Sequence, residues 1–231
     1  MRGATGALIG GHGMQISSAI HRAGLLYSDR SLTLLMATNL GTVLLAVLQQ
    51  WDLTVLLWIC WGQSGIIGYY NVHRIVDVDR FSTNGFMSTI RPVEPTSETQ
   101  RCTAVCFALH YGLFLLVYAV FLLTTFRIHP GFPLTGVLLC VFAFWFTHRY
   151  SYHYNRERDR AVPNIGTLMF FPYVRIIPMN LVILLGGHFA ADNPVALVLL
   201  LLLKSAVDAA MHVIEHVMAS ADAGSASGRM P

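Results

Sequence analysis

The sequence predicts an all-α fold: a polytopic membrane helix bundle of about six transmembrane helices, with both termini cytoplasmic. Three observations carry this. Hydrophobic residues make up 55% of the 231-residue chain and charged residues only 12%, about half the charged share of a soluble protein. The apolar residues fall in blocks of roughly 20, the length of a bilayer crossing. The arginines fall almost entirely in alternate connections between those blocks, as the cytoplasmic loops of a membrane protein require.

The blocks run Ser31–Gln49, Leu53–Val72, Arg101–Thr125, Leu134–Tyr154, Leu168–Gly187 and Val195–Met218. Gly, Pro and Asp clusters punctuate them, such as His129-Pro130-Gly131-Phe132-Pro133 and Asp192-Asn193-Pro194. The domain reading is a flexible cytoplasmic segment over 1–30, a six-helix membrane domain over 31–218 and a disordered tail over 219–231. Residues 1–30 hold no continuous apolar run and no cleavage pattern, so no removable signal peptide is expected.

Orientation follows from position, not from the net charge of +3. The first segment holds Arg2, Arg22 and Arg30, and the second-to-third connection holds Arg74, Arg80, Arg91 and Arg101. The fourth-to-fifth connection holds Arg149, Arg156, Arg158 and Arg160, the tail Arg229, and the opposite side only Arg127. An inner-membrane, multi-pass location is therefore expected, with the lipid bilayer as the partner and no nucleic acid. The oligomeric state is left open. Trp51 falls at an outer-face turn, where an interfacial aromatic would sit. Cys60, Cys102, Cys106 and Cys140 lie in or beside spans, and no disulfide is expected.

Ionisable groups inside spans are costly and mark function by default. The last span carries Lys204, Asp208, His212 and His216 at intervals of four. Each interval turns a helix by about 400°, so the four share one face. Gln63, Asn71 and His73 run toward the cytoplasmic end of the second span. His110 lies about 14 Å in from the cytoplasmic start of the third, and His148 and His153 close the fourth. Arg175 and Asn180 lie in the fifth, near Pro172 and Pro178. Together these residues describe a cytoplasm-facing polar cavity among helices two to six.

Each feature also has a plainer reading. His212 and His216 can bind one metal from one helix face, with Asp208 as third ligand or as the group orienting His212. They can equally be a hydrogen-bonded helix interface. The further ligand that a metal needs would be His110 or His148, while His153 and Glu215 suit solvent. Lys204 and Asp208 can neutralise one another, and Arg175 can pair with Asp208 or hold an anion. The prolines of the fifth span can line a site or simply bend the helix. Cys102, Cys106 and His110 form a stripe suited to Cu(I) or to ordinary packing. Gly62-Gln63-Ser64-Gly65 matches the GxSG string of rhomboid proteases, but rhomboids carry that serine in a late helix.

Several strings resemble a known family. They are Gln63-Ser64-Gly65-Ile66-Ile67-Gly68 with Asn71 and Arg74-Ile75, Phe81-Ser82-Thr83 with Gly85-Phe86, and Val93-Glu94-Pro95-Thr96. His110-Tyr111-Gly112 follows, then His148, Ser151 and Asn155, then Pro163 to Tyr173, Arg175 to Met179, and Lys204, Asp208, His212, Glu215 and His216. Over roughly Met36 to Met218 these are similar to an uncharacterised multi-span bacterial membrane-protein family catalogued as domain of unknown function 6498. The resemblance implies a multi-span membrane protein and supplies no reaction. The family pattern often has a histidine where this chain has Leu115, and another where it has Asn180. If both are ligands in relatives, the site is altered here, and His153 is an apparent addition.

Three functional readings follow. The first is a metal-binding protein or metal-dependent membrane enzyme using His110, His148, Asp208, His212 and His216, with zinc, iron or copper. Gln63, Asn71, Arg175, Asn180 and Lys204 would line the same pocket. The second is a small-molecule or proton-coupled transporter, in which Asp208 and the histidines exchange protons. The third is a structural or assembly subunit whose polar residues lock helices together. Whether the chain is an enzyme is left open. The long connection from Asp77 to Gln100, anchored by Phe81 and Phe86, is expected to fold over the cytoplasmic mouth or to lie in solvent.

Overall fold

The structure is a computed structural model that describes residues 30–85, 87–88, 91–126, 128–158, 163–174, 195, 198–199, 201–211 and 214. The described chain is all-α apart from one two-residue ladder. Helix α1 covers Arg30–Leu48, α2 Leu53–Asp77, α3 Ser97–Thr125 and α4 Leu134–Arg158. The short helix α5 covers Ile165–Val174, and α6 covers 201–211. The strands β1 (Met87–Ser88) and β2 (Arg91–Pro92) pair antiparallel in the α2–α3 connection.

Local chemistry starts these helices. Asp52 caps α2, its carboxylate accepting from the Val55 N–H at 3.0 Å. Thr96 does the same for α3 through Thr99 N–H, with Glu98 in the first turn favouring the helix dipole. This cap explains why α3 begins at Ser97, ahead of the apolar run at Arg101. Asn164 opens α5, its side-chain oxygen accepting from Gly166 and Thr167 N–H at 2.9 and 3.2 Å.

Helix α2 is the axis of the bundle, packing against both α3 and α4, while α4 also packs against α1. One apolar cluster joins α1, α2 and α4 with Leu201 of α6, and includes Leu56, Ile59 and Phe144. A second joins α2, α3 and α5 through Ile75, Phe107, Tyr111 and Ile165. At Gly68 the ring of Tyr111 lies where a Cβ would be, and the Tyr111 hydroxyl reaches the Ser64 carbonyl at 3.0 Å.

Trp51 lies in the turn between α1 and α2, with its ring packed against the protein. It is 5% exposed, because Gly136 at the start of α4 leaves space for its ring. A Cβ at that position would come within 2.5 Å of the indole. The indole N–H is satisfied by Gln49 at 3.0 Å, so burial leaves no orphan donor.

The α2–α3 connection is tied to the helices. Ser82 forms a parallel bridge with Asn164, donating to the Pro163 carbonyl at 2.9 Å and accepting from Ile165 at 3.0 Å. The Gln100 Nε2 lies 2.8–3.0 Å from the carbonyl oxygens of Ile75, Val76 and Val78, which share its two N–H groups. Those carbonyls at the end of α2 lack intrahelical partners, and a side chain of α3 supplies them.

Among the described residues two helices, α1 and α3, are long and apolar enough to cross a membrane. Only 17% of the apolar stretch of α3 is buried, and 28% of that of α1. The core helix of a soluble protein would be mostly buried. Instead Leu109, Leu116 and Leu123 of α3 point outward at 57–70% exposure, as do Leu40 and Leu44 of α1 and Leu138 and Phe142 of α4. Helix α2 is 25 residues long but interrupts its apolar run with Gln63, Ser64 and Asn71, all turned inward.

Candidate functional site

Lys204 and Asp208 occupy successive turns of α6, and both are 8% exposed. Their side chains meet at 2.9 Å, as the i, i+4 spacing allows. The ammonium also donates to Asn39 Oδ1 of α1 at 3.0 Å and to Gln63 Oε1 of α2. An ammonium has three protons, and three acceptors surround this one. The ring of Phe144 from α4 lies 4.8 Å from Nζ, close enough for a cation–π contact.

The acceptors are themselves held. Gln63 Nε2 donates to Asp208 Oδ2 at 3.1 Å, so one amide bridges both charges. Asn39 Nδ2 donates to the Leu35 carbonyl at 3.1 Å, which orients Oδ1 toward Lys204. The two opposite charges face each other, and the hydrogen bonds offset part of the several kcal/mol per ion that desolvation costs. Beside Lys204 a space of about 10 Å3 is bordered by Asn39, Thr42, Cys60 and Ser205, at the lower limit for one water molecule.

The remaining predicted residues divide. Asn71 is buried and donates to the Leu168 carbonyl at 3.0 Å, tying α2 to α5. His148 is half-buried on α4, one turn beyond Phe144. His110 is exposed on α3, with Nδ1 2.9 Å from the Tyr173 hydroxyl of α5. It makes no hydrogen bond to Lys204, Asp208, Gln63 or Asn71 among the described residues. Arg175, Asn180, His212 and His216 lie outside the described residues. Among the described residues no three His, Cys, Asp or Glu side chains are grouped so as to hold a metal ion.

Other sequence signals resolve as structure. Ser64 of the GxSG string is buried and its hydroxyl donates to the Cys60 carbonyl at 2.9 Å, a back-bond within α2. Leu115 packs beside the second core cluster, and its carbonyl accepts the Trp61 indole N–H at 2.9 Å. Cys60, Cys102, Cys106 and Cys140 are free thiols. Sequence reasoning missed Asn39, although an amide in the middle of an apolar span is the same kind of signal as Gln63. It also missed Phe144 and had Tyr173 only as the end of a family string, because their roles depend on which ring meets which polar group across helices.

The described fold and site define an all-α protein with two helices of membrane-crossing length and a buried Lys–Asp–amide network. The chain matches the pattern of a family of unknown function, DUF6498, over residues 22–225, and it belongs to that family. No curated protein and no solved structure matches it.

Proposed function

We propose that this chain is a six-span inner-membrane protein with cytoplasmic termini, acting as a structural or assembly subunit whose Lys204 network locks α6 into the bundle. The observation that carries the locking role is the saturation of Lys204: each ammonium proton has an acceptor inside the protein, on α1, α2 and α6. A lysine that binds substrate keeps a proton for it. The outward apolar faces of α1, α3 and α4 and the arginine asymmetry of the connections support the membrane placement.

A metal-dependent reading needs His212 and His216 to bring ligands to Asp208, whose Oδ2 already serves Lys204 and Gln63. A transport reading needs Asp208 to exchange protons while Lys204 neutralises it 2.9 Å away. The locking role is favoured over both, because the three protons of Lys204 are all taken by acceptors within the protein.

The test compares Lys204→Met with Lys204→Met/Asp208→Leu in purified protein. Breaking one side of a buried pair is strongly destabilising, whereas replacing both sides by apolar groups is often neutral. The single variant should therefore lose thermal stability and the double variant recover most of it. Elemental analysis of wild-type protein and His212→Ala is the second arm. Stoichiometric metal that disappears on mutation would overturn the locking role in favour of a metal centre.

A further inference from the structure

We infer that the His110–Tyr173 pair is the polar end of a membrane-facing site for a lipid-soluble quinone. This rests on the membrane placement proposed above, and on a polar pair separate from the Lys204 network. His110 is exposed on α3 one turn beyond the exposed thiol of Cys106, with neighbouring Leu109 at 70% and Leu113 at 58% exposure. Its Nδ1 lies 2.9 Å from the Tyr173 hydroxyl.

The proton count of the pair is decisive. If the hydroxyl donates to Nδ1, the neutral imidazole carries its proton on Nε2 and presents an N–H outward. If Nδ1–H donates to the hydroxyl oxygen, the tyrosine O–H is left over. Either tautomer leaves one donor without an acceptor among the described residues. In hydrocarbon no water is present to take it, and an unmet donor there costs several kcal/mol. The site therefore asks for an acceptor that comes from the lipid phase.

Depth and shape select the acceptor. His110 lies nine residues past Arg101, about 14 Å along the helix, near the middle of a hydrocarbon core of about 30 Å. Phospholipid ester carbonyls lie at the edge of that core, out of reach. A carbonyl dissolved in the core itself is the remaining source. Aromatic rings surround the pair: Phe114 is 5.1 Å from the imidazole, and Phe170, itself 59% exposed, is 6.4 Å from the Tyr173 ring. A flat ring carrying carbonyl oxygens, as in a quinone, matches both the donor and the aromatic walls.

The test uses the full chain in phospholipid nanodiscs, an azido-quinone photoprobe and decylubiquinone as competitor. Saturable, competable labelling should map to 97–125 or 165–174. His110→Phe and Tyr173→Phe should each weaken competition about tenfold, the loss of one hydrogen bond, with His110→Gln, which keeps a donor, losing less. Should these variants fail to fold, Leu113→Trp crowds the approach without touching the pair and should also lose labelling. Labelling that does not saturate, maps elsewhere or is unchanged in His110→Phe overturns the inference. So do chain-to-chain cross-links through α3 that cover His110, which would make the face an interface between copies. A carbonate wash beforehand separates the two readings. Protein released to the soluble fraction overturns the membrane placement, whereas membrane-retained protein without saturable labelling overturns the quinone site alone.

Discussion

The Gln63 amide donates to Asp208 Oδ2 at 3.1 Å across a separation of 145 residues. The same side chain accepts from Lys204, so one neutral residue of α2 contacts both members of the α6 ion pair. Gln63→Leu therefore leaves Lys204 one acceptor short and Asp208 one donor short while keeping the side-chain volume nearly constant. A destabilisation of about 1–3 kcal/mol is expected, measured as the thermal midpoint of detergent-solubilised protein. Gln63→Glu should rescue less well than wild type, since it places a second carboxylate beside Asp208 without the bridging N–H.

Gly68 is a packing position. The Tyr111 ring sits where a side chain at 68 would begin, so Gly68→Val must displace α3 from α2. Overpacking of this kind costs about 1–3 kcal/mol. Tyr111→Phe keeps the ring and removes the hydroxyl with its 3.0 Å bond to the Ser64 carbonyl, for about 1 kcal/mol. The order of these two effects in a thermal melt is the check, and an equal loss for both would contradict the packing argument.

Gln100→Leu should loosen the end of α2 without unfolding the bundle. Its amide caps three carbonyls, those of Ile75, Val76 and Val78. The expected signature is faster hydrogen exchange and earlier proteolysis around 76–82, with a global loss of about 1 kcal/mol.

Asp52 and His129 join the two turns at the opposite end, with Nε2 3.1 Å from Oδ2. Both side chains are nearly half exposed, so solvent screens the pair and His129→Ala should cost about 0.5 kcal/mol or less. Asp52→Ala also removes the α2 cap and should cost about 1 kcal/mol more. Asp52→Ser retains the cap and should recover that larger part, which a double-mutant cycle would resolve.

The proposed topology predicts which side of a membrane each connection faces. Single cysteines at Ser97 and Gly131, in a chain cleared of its four native cysteines, should react with an impermeant maleimide from opposite sides of sealed vesicles. Reaction of both from one side would contradict the crossing of α3.

Much of the architecture was legible because its causes are local. Helices α2 and α4 begin at Leu53 and Leu134, where the apolar blocks read from the sequence begin. The Lys204–Asp208 contact follows from spacing alone, since residues four apart on a helix are neighbours. The all-α class and the membrane-length apolar runs of α1 and α3 are likewise written in residue order.

The partners of those residues were not legible, because they depend on how each helix is rotated about its axis. Lys204 reaches Asn39 and Gln63, 165 and 141 residues away, only because α6 packs between α1 and α2. His110, like Gln63, is a polar residue within an apolar run, yet it faces outward to Tyr173 while Gln63 is 3% exposed. Composition places a polar group along a span. Packing of the apolar faces against Phe107, Phe144 and Leu201 decides whether that group meets the protein interior or the outer surface, because interdigitated side chains permit one rotation of each helix and exclude the rest.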